Sequence, residues 1–193
     1  MIAQWYRWRN DAMMASMNVA DRSHARVIRI QQAIREQPGL DGWLFYDFRH
    51  LDPIAYGVLL LDPSLHVTRR WYYWVPAQGT PVKLQHRIEP HVLDGLPGDA
   101  HAYVSWRDQQ AALGSLLHSA KRIAMQYSPM NAIPYLSRVD AGTIDLVRSL
   151  GAEVVTSADL VQQFEAVWDD AQLASHQVAA EGLRAIVDEA FGF

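Results

Sequence analysis

The sequence predicts an α/β domain built on a mixed sheet, and three observations carry that expectation. Residues 43–46, Trp-Leu-Phe-Tyr, form an apolar run of the kind found in strands buried on both faces. Arg69 to Pro90 reads as a β-hairpin. In its second half Val82, Leu84, His86 and Ile88 alternate with Lys83, Gln85, Arg87 and Glu89, the period of a strand with one buried and one wet face. In its first half Trp71-Tyr72-Tyr73-Trp74 puts large aromatics on both sides, so both sides need a cover. Residues 103–156 then alternate strand, helix, strand, helix, strand, the pattern of parallel βαβ units. An antiparallel hairpin joined to parallel units makes the sheet mixed.

Taken in order, residues 1–20 form an N-terminal arm rich in aromatics (Trp5, Tyr6, Trp8) and methionines (Met13, Met14, Met17). The arm reads either as a segment that packs on a neighbour or as a loosely ordered leader ahead of a later start. Asp21 and Ser23 are N-cap types ahead of a helix reaching about Gln37, with Val27, Ile30, Ala33 and Ile34 as its buried stripe and Pro38-Gly39 as its end. Asp41-Gly42 turns the chain into the buried run. Residues 54–61 are apolar and ambiguous between helix and strand. Pro76, Gly79 and Pro81 punctuate the hairpin connection, and residues 94–98 form a loop. Tyr103–Trp106 reads as a short strand, Gln109–Ser119 as a helix, Ile123–Gln126 as a strand, and the segment with Ile144, Leu146, Val147 and Leu150 as a helix stopped by Gly151. Val154-Val155 is the last strand, and Ser157 or Asp159 caps the segment after it. Residues 169–193 form a separate helix with an apolar stripe including Leu183, Ile186, Val187 and Phe191 that still runs at Phe193. The chain therefore reads as cut inside an element of something larger.

Composition narrows the functional classes. Of 193 residues half are hydrophobic and a fifth charged, which fits one well-buried domain. The net charge of -4 gives no electrostatic reason to expect nucleic acid or an anionic membrane as partner. Without cysteine there is no disulfide, thiolate metal site or cysteine nucleophile. No apolar run approaches the roughly 18 residues of a membrane span, and charges interrupt the N-terminal aromatics, so a cytoplasmic location is the default expectation. Glycine-rich phosphate loops, a G-x-S-x-G elbow and H-E-x-x-H are all missing, and Ser105 reads as a strand residue. His86, on the apolar face of its strand, reads as a satisfied core histidine. Asp169-Asp170 reads as helix capping. One polar cluster stands out: Asp47-Phe48-Arg49-His50, directly after the carboxyl end of the buried strand, where open α/β sheets commonly bind ligands. Arg49 could hold a carboxylate through two hydrogen bonds, His50 could share a proton and Phe48 could stack on a substrate. The other reading of the same four residues is a loop with solvated charges and Phe48 plugging the sheet edge.

Four strings, DGWLFYDFRHLDPIAYGVL, TRRWYYWVPAQGTPVKLQHRIEP, KRIAMQYSPMNAIPYLSRVDAGTIDLVRSLGAEVV and SADLVQQFEAVW, together resemble the N-terminal domain of Xaa-Pro peptidases, the aminopeptidase P, prolidase and creatinase group. The resemblance covers roughly residues 22–193. It implies a mixed sheet of about six strands flanked by helices over residues 21–168, with residues 169–193 as the first helix of a pita-bread catalytic domain. In the family that second domain carries the divalent metal (Mn, Zn or Co) and its Asp, Asp, His, Glu and Glu ligands. No position here inherits a catalytic or metal-binding role, no cofactor is expected in this chain, and the chain alone is expected to be inactive. The resemblance implies instead a homo-oligomer, a dimer in the simplest case, and a wall for the active-site cleft. Phe48, Arg49 and His50 become substrate-gate candidates, and Trp71, Tyr72, Trp74, Leu183, Val187 and Phe191 interface candidates. The alternative is a free-standing domain that binds a small carboxylate or peptide through the Asp47–His50 loop.

Overall fold

The computed structural model describes residues 18–168 and 170–192. The expected arm falls mostly on residues 1–17, outside the described residues. Helix α1 (Val19–Arg35) begins earlier than expected, because Asn18 is its N-cap: Asn18 Oδ1 accepts from the Asp21 amide at 2.9 Å and Nδ2 donates to the Asp21 carboxylate at 2.7 Å. Asp21 lies in the first turn, where its charge suits the positive end of the helix. Val27, Ile30, Ala33 and Ile34 are buried, as their spacing predicts.

Strand β1 (Gly42–Asp47) is buried along its whole length. It pairs antiparallel with β2 (Trp71–Pro76) on one side and parallel with β5 (Arg122–Met125) on the other. Beyond β2 lies its hairpin partner β3 (Val82–His86), then β4 (Asp99–Tyr103), parallel to β3; beyond β5 lies β6 (Glu153–Thr156), also parallel. The order is β4-β3-β2-β1-β5-β6, one mixed six-stranded sheet.

Alternation along the central strands builds two cores. Trp43, Phe45, Trp71, Tyr73 and Val75 face a layer formed by α1, α2 (Pro53–Leu59) and α5 (Ala158–Glu165). Leu44, Tyr46, Tyr72, Trp74 and Leu84 face α3 (Trp106–Leu117) and α4 (Ala141–Ser149) on the other side. The domain's own helices therefore cover both faces of the aromatic strand. Trp71, Tyr72 and Trp74, expected at an interface, are 1%, 0% and 6% exposed and leave no surface for a neighbour.

Other expectations shift for local reasons. Lys83 and Gln85 were expected on a wet face, yet both are buried under residues 88–98, where Lys83 Nζ donates to the Leu96 carbonyl at 2.8 Å and Gln85 Oε1 accepts from the Leu93 amide at 3.0 Å. The strand expected at Tyr103–Trp106 ends at Tyr103. Ser105 instead caps α3, its Oγ accepting from the Asp108 amide while the Asp108 carboxylate accepts from the Ser105 amide, a reciprocal capping box. The ambiguous segment 54–61 is helical as far as Leu59, capped by Asp52, opened by Pro53 in its first turn and ended by Leu60 in the left-handed region. Helix α6 (Asp170–Phe191) runs for 22 residues with no buried side chain. No described helix is long and apolar enough to cross a membrane.

Candidate functional site

The carboxyl end of β1 carries the densest polar network. Period two sends Asp47 to the same face as Trp43 and Phe45, so its carboxylate is fully buried. It is satisfied there by a local clamp: Oδ2 accepts from the His50 amide at 3.0 Å and from the Tyr56 hydroxyl at 3.2 Å, and Oδ1 accepts from the Asp52 amide at 2.9 Å. A buried carboxylate needs such donors, because an unpaired one costs several kcal/mol. The clamp folds residues 48–51 back over the strand end and places Arg49 and His50 in the left-handed region, at φ 59° and 60°. Two consecutive non-glycine residues in that region cost about 1–2 kcal/mol each, and the Asp47 bonds hold them there.

The sequence-predicted gate residues separate in role. His50 is exposed but engaged, its Nε2 lying 2.9 Å from the Leu65 carbonyl and its ring 4.9 Å from that of Tyr56. Arg49 is exposed and makes no hydrogen bond or ion pair to another described residue. Phe48 is half-buried on the opposite face, with the Arg70 guanidinium 5.7 Å from its ring centre. An open groove of about 600 Å³ runs beside His50, walled by Pro53, Tyr56, Leu60, Leu61 and Pro63.

Asp52, which no sequence pattern marks as a site residue, is a second buried carboxyl group at this end of the sheet. It is 1% exposed and caps α2, with Oδ1 accepting from the Ala55 amide at 3.1 Å. Burial, with the charge of Asp47 adding to it, pushes its carboxyl up to about 7. Its Oδ2 has no hydrogen-bond partner among the described residues, and neither do Trp71 Nε1, Gln126 Nε2, Arg138 Nε or Ser157 Oγ. Burial also raises the Tyr56 hydroxyl above the ordinary range, with Asp47 adding to it. On the other face a second network forms: Tyr46 donates to Asp140 Oδ2 at 2.9 Å, Thr143 donates to the same oxygen at 2.8 Å, and Gln109 Nε2 donates to the Tyr72 hydroxyl. Burial pushes Tyr46 up to about 12, while hydrogen bonds from Thr143 and Tyr46 hold Asp140 below the usual carboxylate range against its own desolvation. His86 is hydrogen-bonded, but at the end of β3 and half-buried rather than in the core: Nδ1 accepts from the Ile88 amide at 3.2 Å and Nε2 lies 3.1 Å from the Val104 carbonyl. Among the described residues no three His, Asp or Glu side chains converge as a metal-ligand set. These residues do not fit a divalent metal.

No family model and no curated protein matches the chain. Solved structures do. The creatinase/prolidase N-terminal domain of an X-Pro dipeptidase from Streptococcus pyogenes aligns over 72% of this chain and 98% of its own length, with a TM-score of 0.52 and 15% identity. A prolidase from Thermococcus sibiricus aligns over 86% of this chain at a TM-score of 0.59 and 14% identity. An X-Pro aminopeptidase from Thermotoga maritima aligns over 83% at 0.51 and 16%. The chain spans 42% of the length of each of these last two proteins. Its mixed sheet and helical layers thus share the fold of the creatinase/prolidase N-terminal domain.

Proposed function

We propose that this chain serves as the non-catalytic N-terminal domain of an Xaa-Pro peptidase-like protein, walling the cleft of a metal-dependent catalytic domain and supporting a cytoplasmic homo-oligomer. The observation that carries this reading is the alignment over 98% of an isolated N-terminal domain beside only 42% of two longer relatives. Two features of the chain support it. The loop at Phe48–His50 is pre-organised by the Asp47 clamp and stands at the carboxyl end of β1, so a gating segment would not need to order itself on binding. Leu183, Val187 and Phe191 lie exposed on α6, forming an apolar face that a catalytic domain would cover.

The test is direct. The purified chain, incubated with Xaa-Pro dipeptides and Mn²⁺ or Zn²⁺, should release no proline above a metal-only control; release that scales with protein overturns the reading. The exposed, unpaired Arg49 also favours a second reading, a free-standing binder of small carboxylates. That reading requires a carboxylate at 100 times its dissociation constant to add about 2.7 kcal/mol of stability, and requires Arg49→Ala to abolish the gain in a thermal-shift measurement.

A further inference from the structure

Strand β4 ends the sheet with one side unpaired. The Asp99 amide donates to the Pro81 carbonyl at 3.0 Å, and the Tyr103 carbonyl accepts from the Arg87 amide at 2.9 Å. Residues 99, 101 and 103 therefore turn their main-chain groups toward β3, and by the period of two Ala100 and Ala102 turn theirs outward. Those outward groups meet no partner among the described residues. Residues 99–102 are exposed, so no helix or loop shields the edge, and the pairing with β3 is continuous from Asp99 to Tyr103, without a bulge. The strand also has no lysine or proline, the residues that commonly blunt an edge.

We propose that this edge pairs antiparallel with β4 of a second copy of the chain, about a two-fold axis at His101, joining two six-stranded sheets into one. The register follows from the residues. Centred on His101, Ala100 of one copy faces Ala102 of the other, and every outward amide and carbonyl of the regular strand finds its complement. An axis at Ala100 or Ala102 sets one of the two alanines against the bend at Gly98 or the strand exit at Val104. In the His101 register Asp99 lies opposite the second copy's Tyr103, which keeps the two carboxylates apart. Val104, 58% exposed at the strand exit, comes to rest opposite Gly98. A groove of about 450 Å³ between β3 and α3, lined by Val82, Leu84, His101, Ala112, Ser115 and Leu116, opens beside the axis and can take the second copy's imidazole. A strand that matches itself in hydrogen bonds and in charge forms a closed, isologous contact, and this selects a second copy over an unrelated peptide. The inference gives a surface to the self-association proposed above and does not depend on the peptidase reading.

Sedimentation equilibrium of the full chain, together with two variants, tests it. The wild type should sediment as a dimer. Ala102→Pro removes an outward amide at a position where an edge strand tolerates proline, and should weaken association at least tenfold with an unchanged far-UV circular dichroism spectrum. His101→Cys, in a chain that has no other cysteine, places two thiols at a non-hydrogen-bonded antiparallel pair with Cα atoms about 4.5 Å apart, and should give a disulfide-linked dimer on mild oxidation. A wild type that remains monomeric at all concentrations overturns the proposal. So does a dimer that survives Ala102→Pro and is lost in Leu183→Asp. If Ala102→Pro fails to fold, the cross-link decides, and a His101→Cys protein that stays monomeric under oxidant overturns the proposal. Absence of peptidase activity leaves each of these readings unchanged.

Discussion

The end of β1 and helix α6 are opposites. At the first, polar groups are buried: Asp47 and Asp52 sit at 0% and 1% exposure, held by amides, a hydroxyl and a helix start. At the second, apolar groups are exposed: Val178, Leu183, Ile186 and Phe191 are each more than 60% exposed along 22 residues. The polar site is closed by its own chain and needs no partner to exist. The helix contributes nothing to either core, and its apolar face is open to solvent. Side chains that hold the fold together and an apolar face that the fold leaves uncovered are thus separated in space, and substitutions at the two places should differ in kind.

The largest effect should come from Asp47→Ala. It strips acceptors from a buried amide, a part-buried amide and a tyrosine hydroxyl at once, and each orphaned buried donor costs about 1–3 kcal/mol. Relief of the neighbouring Asp52 charge offsets part of this, leaving an expected loss of about 3–5 kcal/mol in urea unfolding. A loss below about 1 kcal/mol would show that the clamp is no more demanding than the surface helix, and the contrast would collapse.

Asp52 should give the next effect, and with the opposite sign. Its folded carboxyl titrates near 7 against an ordinary value of 3.8, so between those pH values the folded state holds a proton that the unfolded state has released. Stability from this group is complete below about pH 4 and is lost as pH rises through 7, a swing on the order of 4 kcal/mol. Asn is as good an N-cap as Asp and carries no charge. Asp52→Asn should therefore stabilise the protein by about 1–3 kcal/mol at pH 8 and flatten the pH dependence between 4 and 7. A variant whose pH profile overlays the wild type would rule out this account.

These two carboxylates also mark where the sequence was legible and where it was not. Trp43 to Tyr46 announced a strand buried on both faces, because apolar side chains at consecutive positions must be covered on both sides, and the two cores divide along that alternation. Strand β4 was displaced to Tyr103–Trp106: in Asp-Ala-His-Ala-Tyr an exposed edge buries only Tyr103, so the large apolar residues that signal a strand begin where this one ends. Lys83 and Gln85 looked solvated because their partners, the Leu96 carbonyl and the Leu93 amide, belong to main chain whose path no local pattern specifies. At the site, the loop after β1 could be found from its charges. Its organiser could not, since the role of Asp47 depends on Asp52 and Tyr56 arriving from a helix whose type the residues left open. The attention the charges drew to Arg49 and His50 belongs equally to the carboxylate beneath them.

The smallest stability effect should come from α6, and its smallness is the informative result. Leu183 and Val187 are 64% and 51% exposed, so replacing either with Asp removes almost no burial within the chain. Asp lowers helix propensity by a few tenths of a kcal/mol relative to Leu, and both positions lie on a helix with no buried side chain. Leu183→Asp and Val187→Asp should each stay within about 0.5 kcal/mol of the wild type in urea unfolding, as surface substitutions do. If a catalytic domain or other partner covers this face, the same variants should weaken that association by about 1.5–3 kcal/mol per side chain, the worth of burying it. Loss of binding without loss of stability would place α6 on the assembly side of the division. A loss of 2 kcal/mol or more in the isolated chain would instead mean that the helix packs on the domain's own body, and the separation between folding and assembly would fail there.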